Sequence, residues 1–337
     1  MKPSNLTGRY IISIDVGGTK IASALVSLEE GAAEHVHIVK TGARGGEYVL
    51  RQLYDIIARY LFLLGKDEVV GIGIDLPGII DSSKGVAIYV PNIKGWSNFL
   101  LKDSLLSFLR NDMNIELPVL LLDDRVSVAL GELWRGCAQG ARNIVAVIVG
   151  TGVGAGIIID GKPYLGSSWV SGALGWIALE KDPVSTEKGW LEEEISGSAI
   201  VRKVINACLK NGGCDNLKFI SSNNLSDVTA DQVFQAHDLG DPTIIQVLTS
   251  VARIMGIAIA NIVSLLNPEV VVINGGVGIA LMDRYGKEIE RVVNIVAQPY
   301  ATKRVVLCRS RLGYLANILG NAVPFRDPAL MHYLSIL

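Results

Sequence analysis

At 337 residues the chain is a little over twice the ~150 residues of an ordinary domain, which predicts two domains. Half of the residues are hydrophobic and 19% are charged, a balance that buries enough apolar surface to exclude a disordered chain. With 31 basic and 33 acidic side chains the formal net charge is −2, so the overall field points to neither a nucleic acid nor an anionic membrane as partner.

The opening MKPSNLTGRY lacks the cationic, hydrophobic and small-residue succession of a secretory signal, so cytoplasmic residence is expected. Tyr10 to Ile14 is an apolar strand, Asp15 to Lys20 a glycine turn reading DVGGTK, and Ile21 to Val26 a second strand, together a hairpin with a polar tip. A helix is expected from Tyr48 to Leu64, a buried strand from Val69 to Ile74 and a turn-rich stretch from Pro77 to Trp96. Val119 to Leu122 is a short apolar strand ending on paired acids, Asp123 and Asp124, and helical spacing follows from Ser127 to Trp134.

A mean hydropathy of +0.38 raises the question of a membrane span, and the uncharged run from Asn143 to Ile159 is the place to look. Four glycines between Gly150 and Gly156 divide it into two β-branched strands, Ile144 to Val149 and Ile157 to Ile159, around GTGVGAG. Asp160-Gly161 supplies the next turn, so the same hairpin pattern occurs twice. Gly189 to Lys210 reads as a helix, and the polar stretch to Asp231 carries no nameable chemistry. Ile244 to Leu266 is apolar on nearly every face, which predicts a buried helix stopped by Asn267-Pro268. A strand at Val270 to Ile273 ends on Asn274-Gly275-Gly276; a helix near Leu281 to Ala297, a strand at Arg304 to Cys308 and a closing helix from Tyr314 to Val323 follow. Alternating strands and helices predict α/β layers. Cys137, Cys208, Cys214 and Cys308 form no C-x-x-C pair, which predicts buried reduced thiols rather than a zinc site or a disulfide framework.

Adjacent glycines let successive backbone N–H groups point at an anion and remove the side chains that would block its approach. Both hairpin tips therefore suit phosphate, or else they are no more than tight turns. Asp15 at a strand end offers a carboxylate to a metal, directly or through water, and Thr19 and Lys20 add a hydroxyl and a cation. Gly150, Gly152 and Ala155 satisfy the dinucleotide fingerprint G-x-G-x-x-G/A, but a strand follows where that fingerprint needs a helix, and no Walker P-loop occurs in the chain. Asp124 is the candidate base: a carboxylate within hydrogen-bond reach both positions an acceptor hydroxyl and takes its proton. The alternative for such a strand-end acid is a helix cap or a surface charge.

The segments IISIDVGGTKIASALV, GIGIDLPGIIDSSKGVAIYVPNIKGW, DDRVSVALGE, GTGVGAGIIIDGKPYLG, AHDLGDP and NPEVVVINGG resemble, in order, the ROK family of sugar kinases and sugar-responsive repressors. That family lies within the superfamily of hexokinase, actin and Hsp70 ATPases. The resemblance implies the two-domain α/β actin-like ATPase (ribonuclease H-like) fold with an interdomain cleft. The smaller domain would span 1–122, with 314–337 packing back on it, and the larger 123–313. It further implies ATP and Mg²⁺ as cofactors, a small-molecule sugar or polyol as substrate, and a homodimer. Asp15, Gly17, Gly18, Thr19 and Lys20 resemble the first phosphate motif, Gly150, Thr151, Gly152 and Gly154 the second, and Gly275 and Gly276 the nucleoside-binding turn. Asp124 matches the family's catalytic aspartate; Pro77, Gly78 and Asn92 to Trp96 resemble loops framing the sugar, and Glu192 a sugar-binding glutamate.

Departures from the family pattern fall on the sugar and zinc side. Asp123 stands where family kinases carry an asparagine, so one sugar contact changes from an amide to an acid and donor capacity is lost. The family's G-E-x-G-H segment reads Gly172-Ala173-Leu174-Gly175-Trp176, and the cysteine cluster is missing from KDPVSTEKGWLEE, so no zinc is expected. Trp176 is then either an apolar face for stacking on a sugar ring or a core aromatic filling the space left by zinc. The expected function is ATP-dependent phosphorylation of a sugar or polyol hydroxyl. The alternatives are a catalytically weakened nucleotide- or sugar-binding protein and a regulator without its DNA-binding domain; only fourteen residues precede Asp15, too few for a winged helix-turn-helix.

Overall fold

The computed structural model describes residues 9–42, 45–180, 187–211, 214–221 and 224–336. In chain order the first elements are β1 (Tyr10–Val16), β2 (Lys20–Ser27), β3 (Ala33–Lys40), α1 (Gly46–Leu64), β4 (Val69–Leu76), β5 (Ile79–Asp81), β6 (Val86–Tyr89), β7 (Ser97–Phe99), α2 (Leu101–Met113), β8 (Val119–Asp123) and α3 (Asp124–Arg135). There follow β9 (Ile144–Val149), β10 (Val153–Ile159), β11 (Lys162–Pro163), α4 (Trp190–Ile195), α5 (Gly197–Lys210), α6 (Asp215–Ile220), α7 (Ala230–Asp238) and α8 (Pro242–Leu266). The chain closes with β12 (Val270–Asn274), α9 (Gly276–Val296), β13 (Val306–Arg309), α10 (Leu315–Gly320), α11 (Val323–Arg326) and α12 (Pro328–Ile336).

The repeated hairpin seen in the sequence becomes two five-stranded sheets of matching order, β3-β2-β1-β4-β8 and β11-β10-β9-β12-β13. In each, the strands beyond the hairpin run parallel to its first strand: β4 beside β1 and β8 beside β4, then β12 beside β9 and β13 beside β12. The chain divides into two compact units, Met1–Gly140 with Gly156–Ser171 and Tyr314–Leu337, and Ala141–Ala155 with Gly172–Gly313. The first unit thus runs past the expected boundary at 122 and takes in α3.

In the first unit α1 buries Val49, Leu53, Ile56, Ile57, Tyr60, Leu61 and Leu64, a three-and-four spacing that lines one helical face. That face joins Ile12, Ile14, Leu25, Ile72, Ile74 and Leu121 of the sheet in a common core. The turn-rich stretch from Pro77 is more ordered than its composition suggests, holding the small sheet β5-β6-β7 of three- and four-residue strands. The single closing helix expected from Tyr314 to Val323 is instead three short helices, α10 to α12.

In the second unit α8 starts with Asp241 accepting from the N–H groups of Thr243 and Ile244 and ends on left-handed Asn267. Its length and apolarity suffice for a membrane span, but half of the apolar window is buried inside the protein, as in a core helix. The helix expected from Gly189 to Lys210 breaks at Ser196, whose hydroxyl accepts from Ala199 N–H and restarts the chain as α5. The polar stretch before Asp231 holds α6, and α7 begins behind a capping box of Thr229 and Gln232. The expectation of reduced thiols is overturned: Cys208 and Cys214 form a disulfide, the end of α5 bringing their Cα atoms to 5.2 Å, and no described cysteine is free.

Candidate active site

Three carboxyl groups of the first unit converge from the C-terminal ends of adjacent parallel strands. Asp15 ends the apolar run of β1 and is in register with Asp75 of β4, so both side chains leave the same face one strand spacing apart. Leu76 is in register with Asp123 of β8, and Asp124 follows at once as the first residue of α3. Burial pushes the Asp75 carboxyl well above the ordinary carboxylate range, and the charges of Asp15 and Asp124 push it further. Asp124 is raised well above that range by burial and then by Asp123, against the pull of Arg125. Asp15 is raised by burial and drawn back by its hydrogen bond with Asp75 and by Lys20.

The short helix α10 holds this cluster from behind. Asn321 Nδ2 donates to Asp75 Oδ2 at 2.6 Å while its Oδ1 accepts from Ser127 Oγ at 2.9 Å, and Asn317 Nδ2 donates to both Asp75 Oδ1 and the Asp124 carbonyl at 3.2 Å. Sequence reading missed Asp75, Asn317 and Asn321. The only local sign of Asp75 was an acid closing the apolar run that begins at Val69.

Asp123, expected at the sugar, has its oxygens engaged within its own helix end. As N-cap of α3 it accepts from Arg125 N–H at 2.9 Å and Nε at 2.7 Å through Oδ1, and pairs with Nη2 through Oδ2. The capping role weighed for Asp124 thus belongs to Asp123, whose charge lies close enough to raise the proton affinity of Asp124. Arg125 Nη2 reaches the carbonyl of Gly78 at 3.4 Å, which ties the half-buried Pro77-Gly78 turn to α3. Gly78 is a glycine of necessity: its φ is +134° and a Cβ there would lie 2.1 Å from the Tyr89 carbonyl oxygen.

The first glycine turn is closed by Gly17 N–H to the Lys20 carbonyl at 2.9 Å and leaves Gly18, Thr19 and Lys20 exposed. A Cβ on Gly18 would fall 2.8 Å from Asn92 Cβ, so the phosphate motif and the loop expected to frame the sugar touch. Lys20 Nζ lies 5.4 Å from the centre of the Tyr314 ring. Trp96, at the other end of that loop, is buried and stacked on Phe99, so it belongs to the core.

In the second unit the β9–β10 turn, the start of α9 and the start of α5 meet. A Cβ on Gly275 would lie 2.3 Å from the Val149 carbonyl oxygen, and Gly197 N–H donates to the Gly150 carbonyl at 2.9 Å. Gly150 and Gly276 face open space, with nothing within 4 Å of an added Cβ. The N-terminus of the 21-residue helix α9 has no side-chain cap and no acid in its first turn, leaving its N–H groups and dipole to an anion. Thr151 is exposed, whereas Gly154 is buried within β10 and outside the turn. Glu192, also expected at the sugar, is half-buried and accepts from Val153 N–H at 2.9 Å through Oε2, which braces the turn. Trp176 is 62% exposed, which removes the core-filling reading. Part of the segment expected to lack the cysteine cluster, residues 181–186, lies outside the described residues.

Asp15 and Asp75, in register at the ends of adjacent strands, offer carboxylate oxygens of the kind Mg²⁺ takes one or two of, with phosphate oxygens and water completing its shell.

Residues 11–327 match the profile of the ROK family. A glucokinase of Halalkalibacterium halodurans is 30% identical over 321 residues, covering 94% of this chain and 94% of that protein. A xylose repressor of Caldicellulosiruptor bescii is 31% identical over 332 residues, covering 95% of this chain and 80% of that protein. Among solved structures, a ROK family glucokinase from Streptomyces griseus in complex with glucose and AMPPNP superimposes with a TM-score of 0.77 at 26% identity, over 93% of this chain and 98% of that one.

Proposed function

The chain belongs to the ROK family and has the mixed α/β fold of the actin-like ATPases, and from that premise we propose that it phosphorylates a hydroxyl of a sugar or sugar-like polyol with ATP. Asp124 is the general base: it takes the proton of the acceptor hydroxyl as that oxygen attacks the γ-phosphate. The observation that carries this reading is its position, first in α3 at the carboxyl end of a parallel strand, where burial and Asp123 hold its proton affinity high. By family resemblance, Gly17, Gly18, Thr19 and Lys20 make one phosphate motif and Gly150, Thr151 and Gly152 another. Gly275 and Gly276 serve the nucleoside. Asp15 would hold Mg²⁺, directly or through water, and the ion when bound would neutralise phosphate charge. Pro77, Gly78, Asn92, Trp176 and Glu192 frame the acceptor. The chain acts as a cytoplasmic homodimer, by family resemblance.

A second reading, a sugar-responsive regulator with weakened catalysis, is supported by the likeness to the xylose repressor and by Ala173 and Trp176 standing where the family motif has Glu and His. ATP consumption across hexoses, amino sugars and polyols separates the two. A sugar-stimulated release of ADP that Asp124→Asn abolishes supports the kinase. ATP binding that no sugar converts into turnover supports the regulator.

A further inference from the structure

An ionised carboxylate only accepts hydrogen bonds, so Asp123 has no hydrogen to offer a sugar hydroxyl. Both of its oxygens already accept from Arg125. Arg125 in turn is fixed at three points: Nε and Nη2 grip Asp123, and Nη2 also reaches the Gly78 carbonyl at 3.4 Å. Its side chain is 16% exposed, so the guanidinium is neither mobile in water nor sealed in the core. The remaining nitrogen, Nη1, donates to no acceptor among the described residues. A rigid fork with two free hydrogens therefore sits one residue after the candidate base and against the turn expected to frame the acceptor.

We propose that Arg125 is a sugar-binding residue of this site, its Nη1 donating to hydroxyl oxygens of the acceptor in the place where Asp123 cannot. This rests on the kinase reading for the location of the acceptor, and it also names a substrate class. Asp123 neutralises the guanidinium. A neutral hydroxyl accepts from such a pair readily. The carboxylate of a sugar acid would meet a cation whose charge is already matched, so the acceptor is a neutral sugar or polyol rather than a sugar acid.

Calorimetric titration of the full chain without nucleotide tests this, using neutral hexoses, amino sugars and polyols and the matching hexuronates. Asp123→Ser/Arg125→Met keeps a capping hydroxyl and the aliphatic stem while removing both charges, and Arg125→Lys keeps the charge without the fork. The proposal expects the best-bound neutral sugar to outcompete its uronate. It expects the double variant to weaken sugar binding by about 10- to 100-fold, and the lysine variant by a smaller factor in the same direction. ATP affinity should stay near that of the wild type, whereas an ion pair that only held the turn in place would lower melting temperature and leave sugar affinity alone. Unchanged sugar affinity in the double variant, tighter binding of the uronate, or no sugar bound at all would each overturn it. If the wild type binds a sugar without phosphorylating it, the kinase reading fails while Arg125 stands; if it phosphorylates a sugar that the double variant binds equally well, Arg125 fails alone.

Discussion

In the first unit Asp15, Asp75 and Asp124 are drawn inward, away from water and toward one another, and all three carboxyls hold their protons more tightly than an ordinary aspartate. In the second unit Asp238 and Glu288 stand at the surface against basic side chains: Asp238 beside Arg284 and the His237 ring, Glu288 between Arg253 and Arg291. Both of these are lowered to about 2. Clustering like charges out of water costs stability, and the groups so treated lie where the chemistry is expected; pairing opposite charges in water costs little and tunes nothing. The contrast separates acids clustered together from acids paired with bases at the surface.

The largest test of that contrast is Asp124→Asn. It should lower kcat by about 10²- to 10⁴-fold with the far-ultraviolet circular dichroism unchanged, and a fully active variant would make Asp124 one more buried structural acid. Next in size is Asn321→Ala, which removes the 2.6 Å donor to Asp75 Oδ2 and the acceptor of the Ser127 hydroxyl, leaving Asp75 with the longer bond from Asn317. Chemical denaturation should show a loss of about 1–3 kcal/mol.

Asp75→Asn probes the sign. Because folding raises its affinity for a proton, Asp75 contributes stability that is full below the ordinary carboxylate range and lost as pH rises through the raised value. In metal-free protein the variant should therefore gain on the wild type in melting temperature as pH rises above the ordinary carboxylate range. A gap that stays constant with pH would mean Asp75 is ionised as easily as in water. The smallest effect belongs to Glu288→Gln, with the opposite sign: a lowered carboxyl contributes stability above the ordinary range and loses it as pH falls toward about 2. A slight fall in melting temperature at neutral pH should vanish in strong acid and shrink with added salt.

The parts of this site that were legible in the sequence are those whose signal is local. Glycine runs flanked by β-branched strands announce turns, and a pair of acids after Leu122 announces a strand end, so Asp15, Asp124 and both hairpins could be named directly. Asp75 could not, because a lone acid in an apolar run gains meaning only when the parallel register sets it opposite Asp15. Its partner Asn317 lies 242 residues away, and no pattern within the closing helix marks it. Arg125 was in plain view beside the acids, yet its role depends on a bidentate grip that only coordinates reveal. Of the fold, long amphipathic or apolar helices such as α1 and α8 were readable. The break at Ser196, the three-residue strands after Pro77 and the Cys208–Cys214 bond were not, since each is decided by tertiary packing over too few residues to set a period.

The exposure of Trp176 gives the molecule an optical reporter of its own. Trp176 is 62% exposed, whereas Trp96 is buried and Trp134, Trp169 and Trp190 are half-buried, so Trp176 is the tryptophan most accessible to iodide. A sugar settling over Trp176 would blue-shift its fluorescence and shield it from the quencher without any label, and Trp176→Phe would remove that change while leaving the emission of the other four tryptophans in place.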